Sequence, residues 1–73
     1  MTAYWQAEIY RNGDLYDVDF PRRETERDAL RDCEIALARF SDDELGAIFA
    51  QAAEYEHTDD GTVKSTGKTV MHS

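Results

Sequence analysis

A histidine with three nearby acids is the strongest candidate for chemistry in this chain. His57 lies shortly after Glu54 and just before Asp59 and Asp60, and imidazole with carboxylate oxygens can bind a metal ion. A single imidazole with acids in a flexible turn has no fixed ligand geometry, however, and the turn lacks the alternating acids of an EF-hand loop. We therefore expect no metal site here, and no other pattern in the chain predicts a cofactor.

Glu8, Asp17 and Cys33 are the other side chains that could act in catalysis. The hairpin predicted below pairs Glu8 with Asp17, but nothing covers that face to exclude water from an acid–base pair. Cys33 lies in an apolar stripe with no histidine near it in sequence, which is typical of a buried small side chain. So short a chain is also expected to lack a ligand cleft of ~300 Å³. We predict no catalytic residues and a protein that is not an enzyme.

A β-hairpin over about residues 4–20 is the clearest element that positions these groups. Asn12-Gly13 is the dipeptide preferred in a type I′ turn, because both residues tolerate positive φ. The alternation that follows from this loop assigns one face to the core: Trp5, Ala7, Ile9, Tyr16, Val18 and Phe20. The same register places Glu8 opposite Asp17 on the other face, where like charges oppose strand pairing.

Two consecutive helices are predicted to cover the hairpin, over about residues 24–40 and 42–56. Apolar residues recur at helical spacing in both segments. Thr25 with Asp28 resembles an N-terminal cap of the first helix, and Ser41 with Glu44 forms a capping box for the second. The residues expected to pack against the hairpin are Leu30, Leu37, Phe40, Ile48 and Phe49.

The C-terminal part is predicted to contribute little to the core. A short third strand is expected near 62–65, and the chain then loses apolar periodicity, so 66–73 is expected to form a frayed, flexible tail. Together these elements predict an α+β fold in a single small domain, residues 1–73.

Composition limits the function classes. The chain has 8 Lys+Arg against 16 Asp+Glu, a formal net charge of −8, which opposes direct binding to nucleic acid or an anionic membrane. One cysteine excludes an internal disulfide framework. No apolar run is long enough to span a membrane, and the N-terminal residues lack a signal-peptide pattern, so we expect a cytoplasmic protein.

The acids are unevenly distributed along the chain. Residues 42–60 contain acids but no Lys or Arg, whereas residues 24–39 interleave arginines with acids at helical spacing. The hairpin adds further acids and exposed aromatic residues. The predicted partner-binding residues are Glu8, Asp17, Asp19, Tyr4, Tyr10, Glu54, Glu56, Asp59 and Asp60.

In size and charge, this chain resembles the small inhibitors encoded by phages and mobile elements. These include anti-restriction and anti-CRISPR proteins, some of which present carboxylates where nucleic-acid phosphates would lie. The resemblance implies a non-enzymatic decoy that occupies a basic, nucleic-acid-binding surface of a larger protein, since arginine and lysine clusters bind carboxylates as well as phosphates.

An alternative hypothesis is a small adaptor or regulatory subunit, monomeric or homodimeric, that recognises its partner through the aromatic hairpin. Its acidity would then only aid solubility, or reflect an acidic proteome such as that of salt-adapted cells. Salt distinguishes the two hypotheses, because decoy binding weakens steeply as ionic strength rises and adaptor binding does not.

Overall fold

The computed structural model describes residues 2–17 and 20–72, with only the backbone of Asp17. Four strands form one antiparallel sheet in the order β2-β1-β3-β4, and the longer of two helices packs on one of its faces. The elements in chain order are β1 (Thr2–Arg11), β2 (Asp14–Asp17), α1 (Glu26–Leu37), α2 (Asp42–Leu45), β3 (Ile48–His57) and β4 (Val63–Met71). The predicted architecture, a hairpin packed on two helices, is therefore wrong.

The second predicted helix is the main error. Its capping box is present, with the Ser41 N–H donating to Glu44 at 3.1 Å, but the helix ends after four residues at Gly46. Residues 48–57 instead form the central strand β3, which pairs with β1 on one side and β4 on the other. Their alanines favour a helix when considered alone, but hydrogen bonding and packing on both sides override that local preference.

The C-terminal prediction is also corrected. The expected short strand near 62–65 extends to Met71 as β4, so residues 66–71 of the segment expected to fray belong to a strand that pairs with β3. Gly67 has a φ of 85°, a conformation that side chains with a Cβ rarely adopt, and it lies beside an irregularity in the β3–β4 register. The mixed polar composition of β4 fits an edge strand, which does not need alternating apolar residues.

The hairpin turn is confirmed, but the strand register beyond it is not as predicted. Asn12 and Gly13 both have positive φ, and Arg11 pairs with Asp14 as a two-residue loop requires. The register then shifts between Tyr10 and Ile9, so that Ile9, not Glu8, lies opposite Asp17. One extra residue in β2 thus separates the two acids that were expected to face each other.

Helix α1 is shorter than predicted but begins where its capping signal indicates. The Thr25 side chain accepts a hydrogen bond from the Asp28 N–H at 3.2 Å. Asp32, which is 8% exposed, accepts two hydrogen bonds from Arg23, at 2.8 and 2.9 Å. Because the Arg23 backbone also pairs with Trp5, this ion pair joins the helix to the edge of β1.

The core between α1 and the sheet is built largely from small side chains. Ile9 and Cys33 are the largest fully buried side chains in the described part of the chain. The other buried residues of this layer are alanines: Ala7, Ala29, Ala36, Ala50 and Ala52. The prediction that Cys33 is a buried apolar residue is confirmed, and its Sγ donates to the Gln51 carbonyl. Phe49, expected in this core, lies on the opposite face and is 37% exposed.

Candidate functional site: the open face of the sheet

No described helix covers the sheet face opposite α1, which we call the open face. Side chains alternate along a strand, so the residues between the buried Ala7 and Ile9 of β1 point away from α1. The same holds for their partners on β3. The open face comprises Tyr4, Gln6, Glu8 and Tyr10 of β1, Phe49, Gln51, Ala53, Tyr55 and His57 of β3, with Leu15 and Met71 at the edges and Arg22 over the Tyr4 ring.

Glu8 is the centre of a hydrogen-bond network on the open face. The Tyr10 hydroxyl donates to Glu8 Oε1 at 3.1 Å, and the Gln51 amide donates to the same oxygen at 2.9 Å. The Tyr55 hydroxyl donates to Glu8 Oε2. The carboxylate thus fixes two tyrosines and a glutamine in defined positions before any partner binds.

The two tyrosines bound to Glu8 are held in their protonated form. The hydrogen bond to Glu8 and burial raise the pKa of Tyr55 well above its usual value. Burial and the Glu8 charge raise the pKa of Tyr10 in the same direction. Ionising either phenol would place a second negative charge beside Glu8. Both hydroxyls therefore remain donors at neutral pH.

At one end of the open face, aromatic rings surround an arginine. Tyr4 stacks on Tyr55 with ring centres 5.7 Å apart, and its centroid lies 4.5 Å from the Arg22 guanidinium carbon. Arg22 Nη1 also donates to His57 Nε2 at 2.9 Å. Since a guanidinium can only donate, His57 Nε2 is the acceptor in this contact. The arginine thus supplies the positive charge at this end.

At the other end, the open face is apolar. Leu15, Tyr10 and Phe49 lie in one row across three strands, and the rings of Tyr10 and Phe49 are 5.8 Å apart. Met71 lies beside the next residue pair, Glu8 and Gln51. Leu15 and Met71 are 53% and 62% exposed, so this corner presents apolar surface to solvent.

The predicted partner-binding residues do not form one surface. Tyr4, Glu8 and Tyr10 lie together on the open face. Glu54 and Glu56 point to the other side of the sheet, since they pair with Trp5 and Ala3. Asp59 and Asp60 follow in the β3–β4 turn. Asp17 is described only as backbone in β2, and Asp19 lies outside the described residues.

Local hydrogen bonds determine the geometry of the acids at the β3–β4 end. Asp60 Oδ1 accepts from the Thr62 N–H at 3.1 Å and from the hydroxyls of Thr58 and Thr62, which lowers its pKa to about 2. Glu54 Oε1 accepts from the Thr66 hydroxyl at 2.8 Å. Asp60 is therefore ionised at neutral pH, and within the described chain neither Asp60 nor Glu54 forms an ion pair.

Sequence reasoning missed Arg22, Phe49, Gln51, Tyr55 and His57 as members of the open face. Four of these lie in β3, whose odd-numbered residues from Phe49 to His57 are mostly large and polar or aromatic. Over the same stretch, Ala50 and Ala52 occupy even positions. This alternation with a period of two indicates a strand, but the same residues were assigned to the second predicted helix.

A groove of about 500 Å³ lies on the helix side of the molecule, which contradicts the expectation that no cleft of that size exists. Its walls are Ile9, Tyr16, Phe20, Asp32, Ile35, Ala36, Arg39, Phe40 and Glu44. Both oxygens of its buried acid, Asp32, are bonded to Arg23.

Comparisons with known proteins identify no relative. Scans of family models, curated proteins and solved structures give no significant match to this chain. Across residues 2–17 and 20–72, neither helix is long and apolar enough to cross a membrane.

Proposed function

We propose that this protein is a non-enzymatic acidic inhibitor or decoy that occupies a basic, nucleic-acid-binding surface of a larger protein, of the phage or mobile-element anti-defence type. The observation that carries the proposal is the separation of charge in the fold. Glu8 is the one carboxylate among the described side chains of the open face, whereas the remaining described acids lie on the helix side, at strand ends and in turns.

The negative charge outside the open face has few internal counter-ions. In the part of the chain that the structure describes, Arg23–Asp32 is the one ion pair, although the full chain has 16 acidic residues. Glu56 lies opposite Lys64 in the sheet, yet no ion pair forms between them. These free carboxylates can attract a basic surface over several ångströms and accept hydrogen bonds from its arginines.

The arrangement of these acids supports the proposal. Glu54 and Glu56 occupy alternate positions on one face of β3, and Asp59 and Asp60 continue from its end. Alternate residues on a strand lie roughly 7 Å apart, about the spacing of successive phosphates along a nucleic-acid strand. A rigid strand presents them without the entropy cost of ordering a flexible acidic tail.

A cellular assay tests the activity itself. The chain is expressed in bacteria that restrict phage growth by a CRISPR or restriction system, and plaquing efficiency is measured. We expect expression to raise plaquing against at least one such system, and Glu54→Gln with Glu56→Gln to reduce the effect. The matched control is Glu26→Gln with Glu34→Gln on α1, which changes the net charge equally. Equal loss in both double variants would contradict a role for the β3 acids.

The adaptor hypothesis remains the second candidate, because the open face favours it specifically. Tyr4, Tyr10 and Tyr55 are fixed by stacking or by hydrogen bonds to Glu8. Fixed tyrosines provide contact area at low entropy cost and are common in protein-binding surfaces. Binding of this kind would persist at 0.5 M salt, whereas decoy binding to a captured partner would be largely lost.

A further inference from the structure

The monomer buries little apolar surface for a chain of its length. The fully buried side chains larger than alanine are Ile9 and Cys33 among the described residues, while Leu15, Phe49 and Met71 on the open face are exposed. Domains below about 70–80 residues rarely obtain enough stability from a single core, and association of copies is one common remedy. Association through the open face would bury these exposed apolar side chains and add to the small core of the monomer.

Several polar side chains at the centre of the open face already have hydrogen-bond partners within the chain. Glu8 already accepts hydrogen bonds from Tyr10, Gln51 and Tyr55. The Gln6 amide donates to the Phe20 carbonyl at 2.6 Å. A second layer would consequently displace water from this surface without breaking the network, which avoids the main cost of burying polar groups.

The charge of the open face also allows a second copy to approach. Among its described side chains, the negative charge of Glu8 and the positive charge of Arg22 balance each other, and Arg22 donates to His57. Two chains of net charge −8 repel each other on most surfaces. Face-to-face packing through the open face keeps the acidic helix layers on the outside, where solvent screens them.

We propose that the protein forms a homodimer in which the open faces of two copies pack together as a two-sheet sandwich. Sheets stack about 10 Å apart in such packing. Strand spacing and rise give the open face roughly 500 Å² per copy, so the pair buries about 1,000 Å², the lower limit of a specific interface. The dimer is independent of the decoy function.

Sedimentation velocity from 1 µM to 1 mM protein at 150 mM NaCl tests this proposal. We expect the sedimenting mass to rise to twice that of one chain. Phe49→Glu and Met71→Glu should each weaken dimerisation at least ~10-fold, because each buries a charge in the apolar corner. Ile35→Glu is the matched control, since Ile35 is 54% exposed on α1 and receives the same charge. Circular dichroism confirms that each variant is folded.

Two results would overturn the homodimer. A chain that stays monomeric at 1 mM leaves the open face for a different protein, as the adaptor hypothesis requires. Disruption by Ile35→Glu with no effect of Phe49→Glu and Met71→Glu places the interface on the helix side. A mixture of isotope-labelled and unlabelled protein provides a second readout, in which intermolecular NOEs from the Phe49 ring should reach open-face residues of the other copy.

Discussion

Glu8 determines how the residues of the open face are organised. Its environment also reverses the effect on stability that the sequence predicts for neutralising this acid. Had Glu8 faced Asp17, neutralising the pair would relieve repulsion. The register shift instead puts Asp17 opposite Ile9, while Glu8 accepts hydrogen bonds from three side chains. The carboxylate therefore stabilises the face, because hydrogen bonds to a charged acceptor are stronger than those to a neutral one.

We predict that Glu8→Gln lowers the free energy of unfolding by about 1–2 kcal/mol, because the glutamine amide offers donors to groups that themselves donate. Urea denaturation measures the change. Glu34→Gln on the exposed side of α1 makes the same charge change and should alter stability by less than about 0.5 kcal/mol. A more stable Glu8→Gln variant would show that like-charge repulsion, and not the network, dominates at this position.

The tyrosines bound to Glu8 give a pH-dependent readout of the same network. The pKa of Tyr55 and that of Tyr10 are both raised from the ordinary 10.0. A phenol with a raised pKa in the folded state contributes stability below the unfolded pKa, and that stability is lost as pH rises through the folded value. Alkaline unfolding should therefore begin above pH 10 and accompany ionisation of these two residues.

Absorbance at 295 nm between pH 8 and 13 measures this tyrosine ionisation. We expect Tyr10 and Tyr55 to ionise late, above pH 10 and together with unfolding. Glu8→Gln should shift the late ionisation to lower pH, since it removes the adjacent negative charge and one of the two acceptor oxygens. Tyr55→Phe should remove one late-titrating group, and if all tyrosines of the parent ionise together near pH 10, the network is not formed.

At the scale of elements, local signals predicted turns and caps, but not which strands pair. Asn12-Gly13 and the Thr25 cap could be read from neighbouring residues alone, because their geometry depends on a few backbone angles. The identity of β3 depends on pairing with residues 37–55 positions earlier in the chain, in β1, and 6–20 positions later, in β4. Propensity favoured a helix there, and only the sheet supplies the competing interactions.

The candidate site was predicted in part for the same reason. Tyr4, Glu8 and Tyr10 could be placed on one face from the alternation of β1, which the hairpin assignment included. Tyr55 and His57 could not, because they join that face only through the β1–β3 ladder. When the central strands of a sheet are distant in sequence, local patterns do not show which residues of the two strands share a face.

Two glycines with different backbone conformations allow the local structure of β4 and of the end of α2 to be tested. Gly67 in β4 has a φ of 85°, whereas Gly46, at the end of α2, has a φ of −63°. We expect Gly67→Ala to destabilise the fold by about 1–2 kcal/mol, since a Cβ is disfavoured at positive φ. Gly46→Ala should be neutral or stabilising by up to about 1 kcal/mol, because its backbone already suits alanine. The two variants can be compared by thermal unfolding.

The result for Gly46 also tests an interpretation of the sequence. A glycine inside a helix can indicate close approach of another backbone, but the nearest atom to a Cβ built at Gly46 is the Asp43 carbonyl oxygen at 4.0 Å. Gly46 therefore ends a short helix and makes no close contact. Strong destabilisation by Gly46→Ala, or none by Gly67→Ala, would contradict the backbone conformations of these segments.

At the scale of the whole molecule, the excess of acids affects both stability and association. The formal net charge of −8 is spread over a molecule of 44 × 22 × 18 Å, with one ion pair among the described residues. Self-repulsion in such a particle destabilises the compact state, and salt weakens it. The open face is nearly neutral, so salt should affect binding through this face much less than it affects the stability of the fold.

We therefore predict that raising NaCl from 10 mM to 0.5 M increases the melting temperature by about 5 °C, which corresponds to roughly 1 kcal/mol in a domain of this size. Glu26→Gln with Glu34→Gln should give part of the same increase at 10 mM NaCl, because it removes two negative charges without touching the open face. Differential scanning calorimetry at constant protein concentration separates this effect from dimerisation, which depends on concentration. A melting temperature that is insensitive to salt would mean that repulsion between the acids is unimportant, because they are far apart or well solvated. Long-range attraction to a basic partner would then be weak as well.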